Sequence, residues 1–170
     1  DRRIYDEVIA FGGKVMMTDK DHLNGTERCN EVVNNLSDTF DYAINIQGDE
    51  PYIQPEMIDD LASILDGNTE LGTLVKTISD PEILTNPNSM KVVLNKKDEA
   101  MYFSRSCIPF VRGANPDQWL QKHTFYKHIG IYAYRVDILK QITDLEATSL
   151  ELAESLEQLR WLENGLKIKV

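Results

Sequence analysis

The sequence lacks long apolar runs and is poor in cysteine, and both absences narrow the class of protein. No stretch approaches the roughly 20 apolar residues of a membrane-spanning helix, and no signal-like segment opens the chain. The two cysteines, Cys29 and Cys107, lie far apart and fit neither a metal-binding nor a redox spacing. We therefore expect reduced thiols in a cytoplasmic protein that has no membrane partner.

Positively charged residues are also scarce. Lys and Arg number 18 against 28 Asp and Glu, which gives a formal net charge of −10. Because nucleic acids and anionic membranes are bound through clustered positive charge, this balance argues against both as main partners. An anionic substrate would need local basic side chains, or a metal ion, to offset the negative field of the protein.

The remaining composition is that of an ordinary globular domain. The apolar share is 42% and the charged share is 27%, and 170 residues suffice for one domain with a real core. We expect a single domain over residues 1–170. The chain opens directly on a helical pattern and stops where a strand pattern begins, so we expect both ends to be cuts through a larger domain.

Helix and strand patterns alternate along the chain. Helical spacing of apolar residues predicts helices at residues 2–11, 26–36, 55–65, 136–142 and 150–164. Alternating or β-rich runs predict strands at residues 14–17, 42–46, 71–78, 91–95, 100–104 and 125–135. Loops are predicted at residues 81–90 and 111–121. This alternation predicts a three-layer α/β domain with a mainly parallel sheet, and the hairpin at 91–104 indicates a small antiparallel insertion.

The most informative stretch is a strand that ends in two acids. Gln47-Gly48 closes the apolar run of residues 42–46, and Asp49 and Glu50 follow before Pro51 breaks the strand. Such a placement puts carboxylates at the carboxyl edge of a sheet, where open α/β folds bind ligands. Hard oxygen ligands there suit Mg²⁺ carrying a nucleotide phosphate. Taken alone, however, the segment slightly favours a polar turn with two solvated acids.

A polar loop at residues 18–25, which contains His22, leads into the helix predicted at residues 26–36. A helix N-terminus is a ready anion site, which makes the start of this helix a candidate for ligand contact. The residues alone favour a plainer interpretation, in which Thr26 caps the helix and Arg28 is solvated.

The last predicted helix, at residues 150–164, has an apolar stripe formed by Leu152, Leu156 and Leu159. Glu157 and Gln158 fall to either side of that stripe. Periodicity alone therefore predicts that both side chains face solvent.

Several separated motifs, in the same order along the chain, resemble one enzyme family. They are Gly25-Thr26-Glu27-Arg28, Ile46-Gln47-Gly48-Asp49-Glu50-Pro51, residues 86–93, residues 102–105 with Ile108-Pro109, residues 128–135 and residues 156–160. The family is that of the cytidylyltransferases that activate 3-deoxy-manno-octulosonate (Kdo), also called CMP-Kdo synthetases. The resemblance spans nearly the whole chain, and the ordered set is far more specific than any single motif.

The resemblance implies a nucleotidyltransferase with a Rossmann-like fold. Such an enzyme transfers CMP from CTP to the anomeric hydroxyl of Kdo, releases pyrophosphate and serves lipopolysaccharide biosynthesis. It also implies Mg²⁺ as the cofactor and a homodimer as the assembly. The family begins with a strand and a glycine- and basic-rich loop that cradles the triphosphate, and it carries a metal-binding Asp near its C-terminus. Neither is found in this sequence, so we expect the 170 residues alone to be inactive.

The resemblance implies roles for three residues of the first two motifs. Asp49 would be the Mg²⁺ ligand and catalytic residue, Gln47 would contact a sugar hydroxyl, and Arg28 would lie near the nucleotide.

On the sugar side, it implies four more. Arg105 would meet the Kdo carboxylate, because a guanidinium matches a carboxylate geometrically. His128, Glu157 and Gln158 would hydrogen-bond to Kdo hydroxyls, and here the resemblance overrules the helical periodicity. Considered without the motif, His128 would more commonly be a structural histidine.

Two alternatives remain open. One is a cytidylyltransferase for another acidic sugar, such as a sialic acid, although the continuous Gln-Gly-Asp-Glu-Pro and His-Ile-Gly-Ile-Tyr runs favour Kdo. The other is a non-catalytic fragment that acts only through interactions.

Overall fold

Helices and strands alternate through the computed structural model, which describes residues 1–48, 50 and 52–170. The helices are α1 Arg2–Ala10, α2 Gly25–Asn35, α3 Pro55–Ser63, α4 Pro81–Thr85, α5 Trp119–Lys122, α6 Val136–Thr143, α7 Ser149–Glu154 and α8 Gln158–Glu163. The strands are β1 Tyr42–Ile46, β2 Leu71–Thr77, β3 Lys91–Leu94, β4 Ala100–Ser104, β5 Tyr126–Arg135 and β6 Ile168–Lys169. Within these residues no helix has both the length and the apolar character needed to cross a bilayer.

Three segments form a different type of secondary structure from the one predicted. Residues 14–17 form no strand, and no strand of the described chain pairs with them. The predicted loop at 81–90 contains α4, because Asp80 caps the backbone N–H of Glu82 at 2.8 Å and Pro81 occupies the first helical turn. The predicted loop at 111–121 contains a short 3₁₀ turn that leads into α5.

Strand β5 is the axis of the sheet. One of its edges pairs with β2, and its other edge pairs with β1 and β3, in every case antiparallel. The hairpin β3–β4 joins the same sheet, and the parallel pairing in the described chain is that of β2 with β6. The prediction of a mainly parallel sheet is therefore wrong.

The physical reason lies in the position of β5. Strands β1 and β2 do run in the same direction, because each is antiparallel to β5, and α3 crosses between them. The alternation of helices and strands correctly predicts this shared direction. It does not reveal that a strand from much later in the chain lies between the two.

Alternate residues of β5 face two different helical layers. Ile129, Ile131 and Ala133 pack on the α3 side, against Leu61. Helix α3 can approach closely there because Gly72 of β2 has no side chain. A Cβ at that position would lie only 3.2 Å from Leu61 Cδ1. The other face of β5 packs against α6 and α8. The α/β arrangement with helices on both faces of the sheet, as predicted, is confirmed.

The helix predicted at residues 150–164 is broken into α7 and α8. Ser155 adopts a left-handed conformation with φ of 51°, which ends α7. A bidentate pair between Arg160 and Glu151, with distances of 2.7 and 2.6 Å, closes the two short helices on each other. The break changes the helical register, so Leu152 is 70% exposed while Gln158 is buried.

Because of this break, two leucines of the predicted stripe differ in burial and should differ in their contribution to stability. Leu156→Ala should lower the free energy of unfolding by about 2–5 kcal/mol, because Leu156 is 5% exposed and packs in the main core. The matched change Leu152→Ala should stay within about 0.5 kcal/mol. Urea denaturation measures both. Equal losses at the two sites would instead support one continuous amphipathic helix.

Candidate active site

Polar side chains gather on the α8 side of the sheet, where the core is otherwise apolar. Asn45 of β1 and Thr73 of β2 both pair with Tyr132 of β5, so all three side chains share that face. His128 lies next to them, with its ring centroid 5.2 Å from that of Tyr132. Each of these four residues is at most 8% exposed. Because unpaired buried polar groups are costly, their partners are informative.

Tyr134 joins several elements on this face. Its hydroxyl lies 3.4 Å from Thr26 Oγ1, and Asn45 donates to it, also at 3.4 Å. Thr26 in turn donates to the carboxylate of Glu157 at 3.2 Å. Thr26 therefore does not cap α2; the side chain of Asn24 does, by accepting from the Glu27 N–H at 2.8 Å.

Burial changes the proton affinity of this network. It raises the pKa of the Glu157 carboxyl, against the opposing effects of the Thr26 hydrogen bond and the Arg160 charge. It also raises the pKa of Tyr132 and Tyr134, so both phenols stay protonated and remain able to donate.

Three buried polar atoms on neighbouring rings have no protein partner among the described residues. They are His128 Nδ1, the Tyr132 hydroxyl and Trp161 Nε1. The Tyr132 and Trp161 rings meet edge to face with centroids 5.1 Å apart. An unsatisfied buried group costs about 1–3 kcal/mol, and ordered water or a bound polar molecule commonly partners such atoms. Sequence reasoning missed Tyr132 and Trp161, although the spacing of His128 and Tyr132 along β5 places both on one face.

Arg28 organises a loop. Its guanidinium donates to Thr18 Oγ1 at 2.9 Å, to the Asp19 carbonyl at 2.7 Å and to the His22 carbonyl at 3.2 Å. Glu31 also accepts from the Asp19 N–H at 2.9 Å. The side chains of α2 thereby hold the preceding loop against the helix, and Arg28 is not a freely solvated side chain.

Arg105 ties the end of β4 to two other segments. Its Nε donates to the Glu154 carbonyl at 2.7 Å, and its terminal nitrogens donate to the carbonyls of Pro87 and Ser155, both at 3.3 Å. The fully buried Lys91 donates to the Arg105 carbonyl at 2.6 Å, and burial lowers the pKa of this amine. The position of Arg105 is therefore fixed from both its backbone and its side chain.

The two amide residues of the predicted site are both withdrawn from solvent. Gln47 is half-buried directly after β1, and a Cβ at Gly25 would lie 3.6 Å from Gln47 Nε2. The start of α2 can come this close because residue 25 is glycine. Gln158, 5% exposed, begins α8 two residues after Leu156. Periodicity placed Gln158 in solvent, and that prediction is wrong.

The predicted metal ligand, Asp49, lies outside the described residues. Among those that are described, no group of three or more His, Cys, Asp or Glu side chains could hold a metal ion. Mg²⁺ that binds together with a nucleotide needs only one or two carboxylates, so this finding leaves the role of Asp49 a prediction.

Residues 1–168 match the family Cytidylyltransferase. Three curated 3-deoxy-manno-octulosonate cytidylyltransferases are each 57% identical to the chain, from Parabacteroides distasonis, Cytophaga hutchinsonii and Bacteroides thetaiotaomicron. The alignments cover 99–100% of this chain and 68–70% of the relatives. A solved structure of CMP:2-keto-3-deoxy-manno-octonic acid synthetase complexed with CTP is 40% identical, with a TM-score of 0.90. That match covers 99% of this chain and 67% of that one.

The raised pKa of Glu157 predicts a pH effect on stability. Below about pH 4 the carboxyl is protonated in both folded and unfolded states. As the pH rises, the unfolded state loses its proton first, so the folded state is progressively destabilised until its own, raised pKa is passed. Glu157→Gln removes this loss, and its free energy of unfolding relative to the wild type should increase from pH 4 towards pH 7.

Urea denaturation across that pH range measures the difference. Glu146→Gln, which changes an exposed carboxylate, is the matched control. A difference between Glu157→Gln and the wild type that stays constant with pH contradicts the burial of this carboxyl.

Proposed function

The chain belongs to the cytidylyltransferase family, among the 3-deoxy-manno-octulosonate cytidylyltransferases, and on that premise we propose that it supplies the sugar-binding side of a CMP-transferring site. The reaction joins CMP from CTP to the anomeric hydroxyl of Kdo and releases pyrophosphate. The observation that carries the proposal is the row of unpartnered buried polar atoms on His128, Tyr132 and Trp161. Transfer to Kdo also implies a role in lipopolysaccharide biosynthesis.

These groups suit a neutral, hydroxyl-rich part of a ligand. Burial, with a smaller effect of the Lys127 charge, lowers the pKa of His128 to about 3, so the imidazole stays uncharged at physiological pH. The Tyr132 hydroxyl can both donate and accept, while the Trp161 indole can only donate. Gln158 and Glu157, at the start of α8, add an amide and a carboxylate nearby. Such a set binds hydroxyls through directional hydrogen bonds rather than through charge.

Arg105 remains our candidate for the Kdo carboxylate. A guanidinium has five N–H donors, and the three contacts made by Arg105 all go to neutral carbonyl oxygens. Two donors and the full positive charge are therefore available to a ligand. Because its protein contacts also fix its position, Arg105 would lose little conformational entropy on binding a carboxylate.

On the nucleotide side, we propose that Arg28 acts through the loop it holds, and that Gln47 reaches the sugar from the end of β1. Asp49 would hold Mg²⁺ together with the phosphates. When bound, the metal would neutralise phosphate charge and favour ionisation of the attacking hydroxyl.

We also propose a homodimer in the cytoplasm. Met101 and Phe110 lie at and beyond β4 with exposures of 61% and 74%, and both are apolar surface that a partner could cover. A second copy that covers this face would remove both from water.

The protein as its gene encodes it should release pyrophosphate from CTP only when Kdo is present. A coupled pyrophosphate assay measures this, with a sialic acid as the competing acceptor. Release with the sialic acid instead of Kdo would select the alternative substrate. No release with either sugar in the presence of Mg²⁺ would favour a non-catalytic role.

A further inference from the structure

A bulge in β5 sets the environment of His128. Thr73 of β2 pairs with Tyr132, yet the next residue, Leu74, pairs with Ile129 rather than with Ile131. Gly130 and Ile131 are thus extra on β5, and the bulge displaces their backbone groups from the regular ladder. The Thr73 side chain responds to this, since its hydroxyl lies 2.7 Å from the Ile131 carbonyl and 3.3 Å from that of Ile129.

The Thr73 hydroxyl also lies 2.9 Å from Nε2 of His128. A carbonyl oxygen can only accept, so the single hydroxyl hydrogen of Thr73 is committed to the Ile131 carbonyl. The same oxygen can then only accept from the imidazole. The hydrogen-bond network therefore assigns the proton of neutral His128 to Nε2 and leaves a bare lone pair on Nδ1.

The opposite tautomer is disfavoured by the same contacts. With the proton on Nδ1, Nε2 would need the Thr73 hydrogen. The Thr73 oxygen and the Ile131 carbonyl would then face each other at 2.7 Å with no hydrogen between them. Phe103 and Tyr132 pack on the imidazole, with centroids 5.1 and 5.2 Å away, and hold the ring in place.

We propose that Thr73 is a positioning residue that locks His128 as the Nε2–H tautomer and so presents Nδ1 to the ligand as a hydrogen-bond acceptor. Nδ1 is buried and has no partner among the described residues. The site then demands a donor, a sugar hydroxyl, at that point. It rejects an analogue that lacks the hydroxyl, because a buried acceptor would be left unpaired. This proposal rests on the proposed function only for the identity of the ligand.

The tautomer can be read without any ligand. Long-range ¹H–¹⁵N NMR of the labelled encoded protein, without substrates, distinguishes protonated from bare ring nitrogens, and His128→Gln identifies the signals of His128. We expect a protonated Nε2 and a bare Nδ1, unchanged between pH 5 and pH 8, because the pKa of His128 is about 3. A proton found on Nδ1 overturns the proposal.

Variants test whether Thr73 is the cause. In Thr73→Val the hydroxyl is lost, so the two nitrogen signals should move towards each other as both tautomers become populated; Thr73→Ser should restore the wild-type signals. Thr77→Val, at an exposed position of the same strand, is the matched control. Should Thr73→Val fail to fold, Thr73→Ala serves in its place. A folded variant without the hydroxyl whose His128 signals match the wild type overturns the role of Thr73.

Activity tests the use of Nδ1. In the encoded protein, Thr73→Val should raise the KM for Kdo about tenfold, as expected for one lost hydrogen bond, with the KM for CTP unchanged. One deoxy analogue of Kdo should bind to the wild type more weakly than Kdo does. Thr73→Val should bind that analogue and Kdo equally well. An unchanged KM for Kdo overturns the proposal. A wild-type protein that ignores Kdo refutes the proposed function instead, and the NMR result still decides the tautomer.

Discussion

The antiparallel pairing of β5 on both of its edges is the constraint on which the rest of the structure depends. It draws β1 and β2, which are separated by α3 in the chain, to either side of one strand. Asn45, Thr73 and Tyr132 share a face only because of this pairing. The same strand directs its alternate residues at α3, so one element forms part of the core and most of the candidate site.

Two backbone irregularities then complete the site. The left-handed Ser155 ends α7 and turns the chain so that α8 packs Trp161 against Tyr132 and buries Gln158. The bulge in β5 frees backbone carbonyls that Thr73 satisfies. The left-handed residue costs free energy locally, and so do the buried polar atoms without partners. Such costs are characteristic of surfaces shaped for a ligand.

Local patterns predicted most helices and strands, because apolar spacing of 3.6 or 2 is written in neighbouring residues. The order and direction of strands could not be predicted this way, since the pairing of β5 joins segments far apart in the chain. Nor does serine at position 155 reveal a left-handed turn, so Gln158 was placed in solvent by periodicity. Motif resemblance selected His128 and Glu157, while Tyr132 and Trp161 look from sequence like ordinary core aromatics.

The bulge at Gly130 and Ile131 shifts the register of β5 with β2 by two residues, and Thr73 contacts β5 on both sides of it. The rings of His128, Tyr132 and Tyr134 nevertheless form a continuous row along one face, with centroids 5.2 and 6.0 Å apart. Because side-chain direction in a strand has a period of two, an insertion of two residues keeps the polar and apolar faces of β5 unchanged on either side of the bulge.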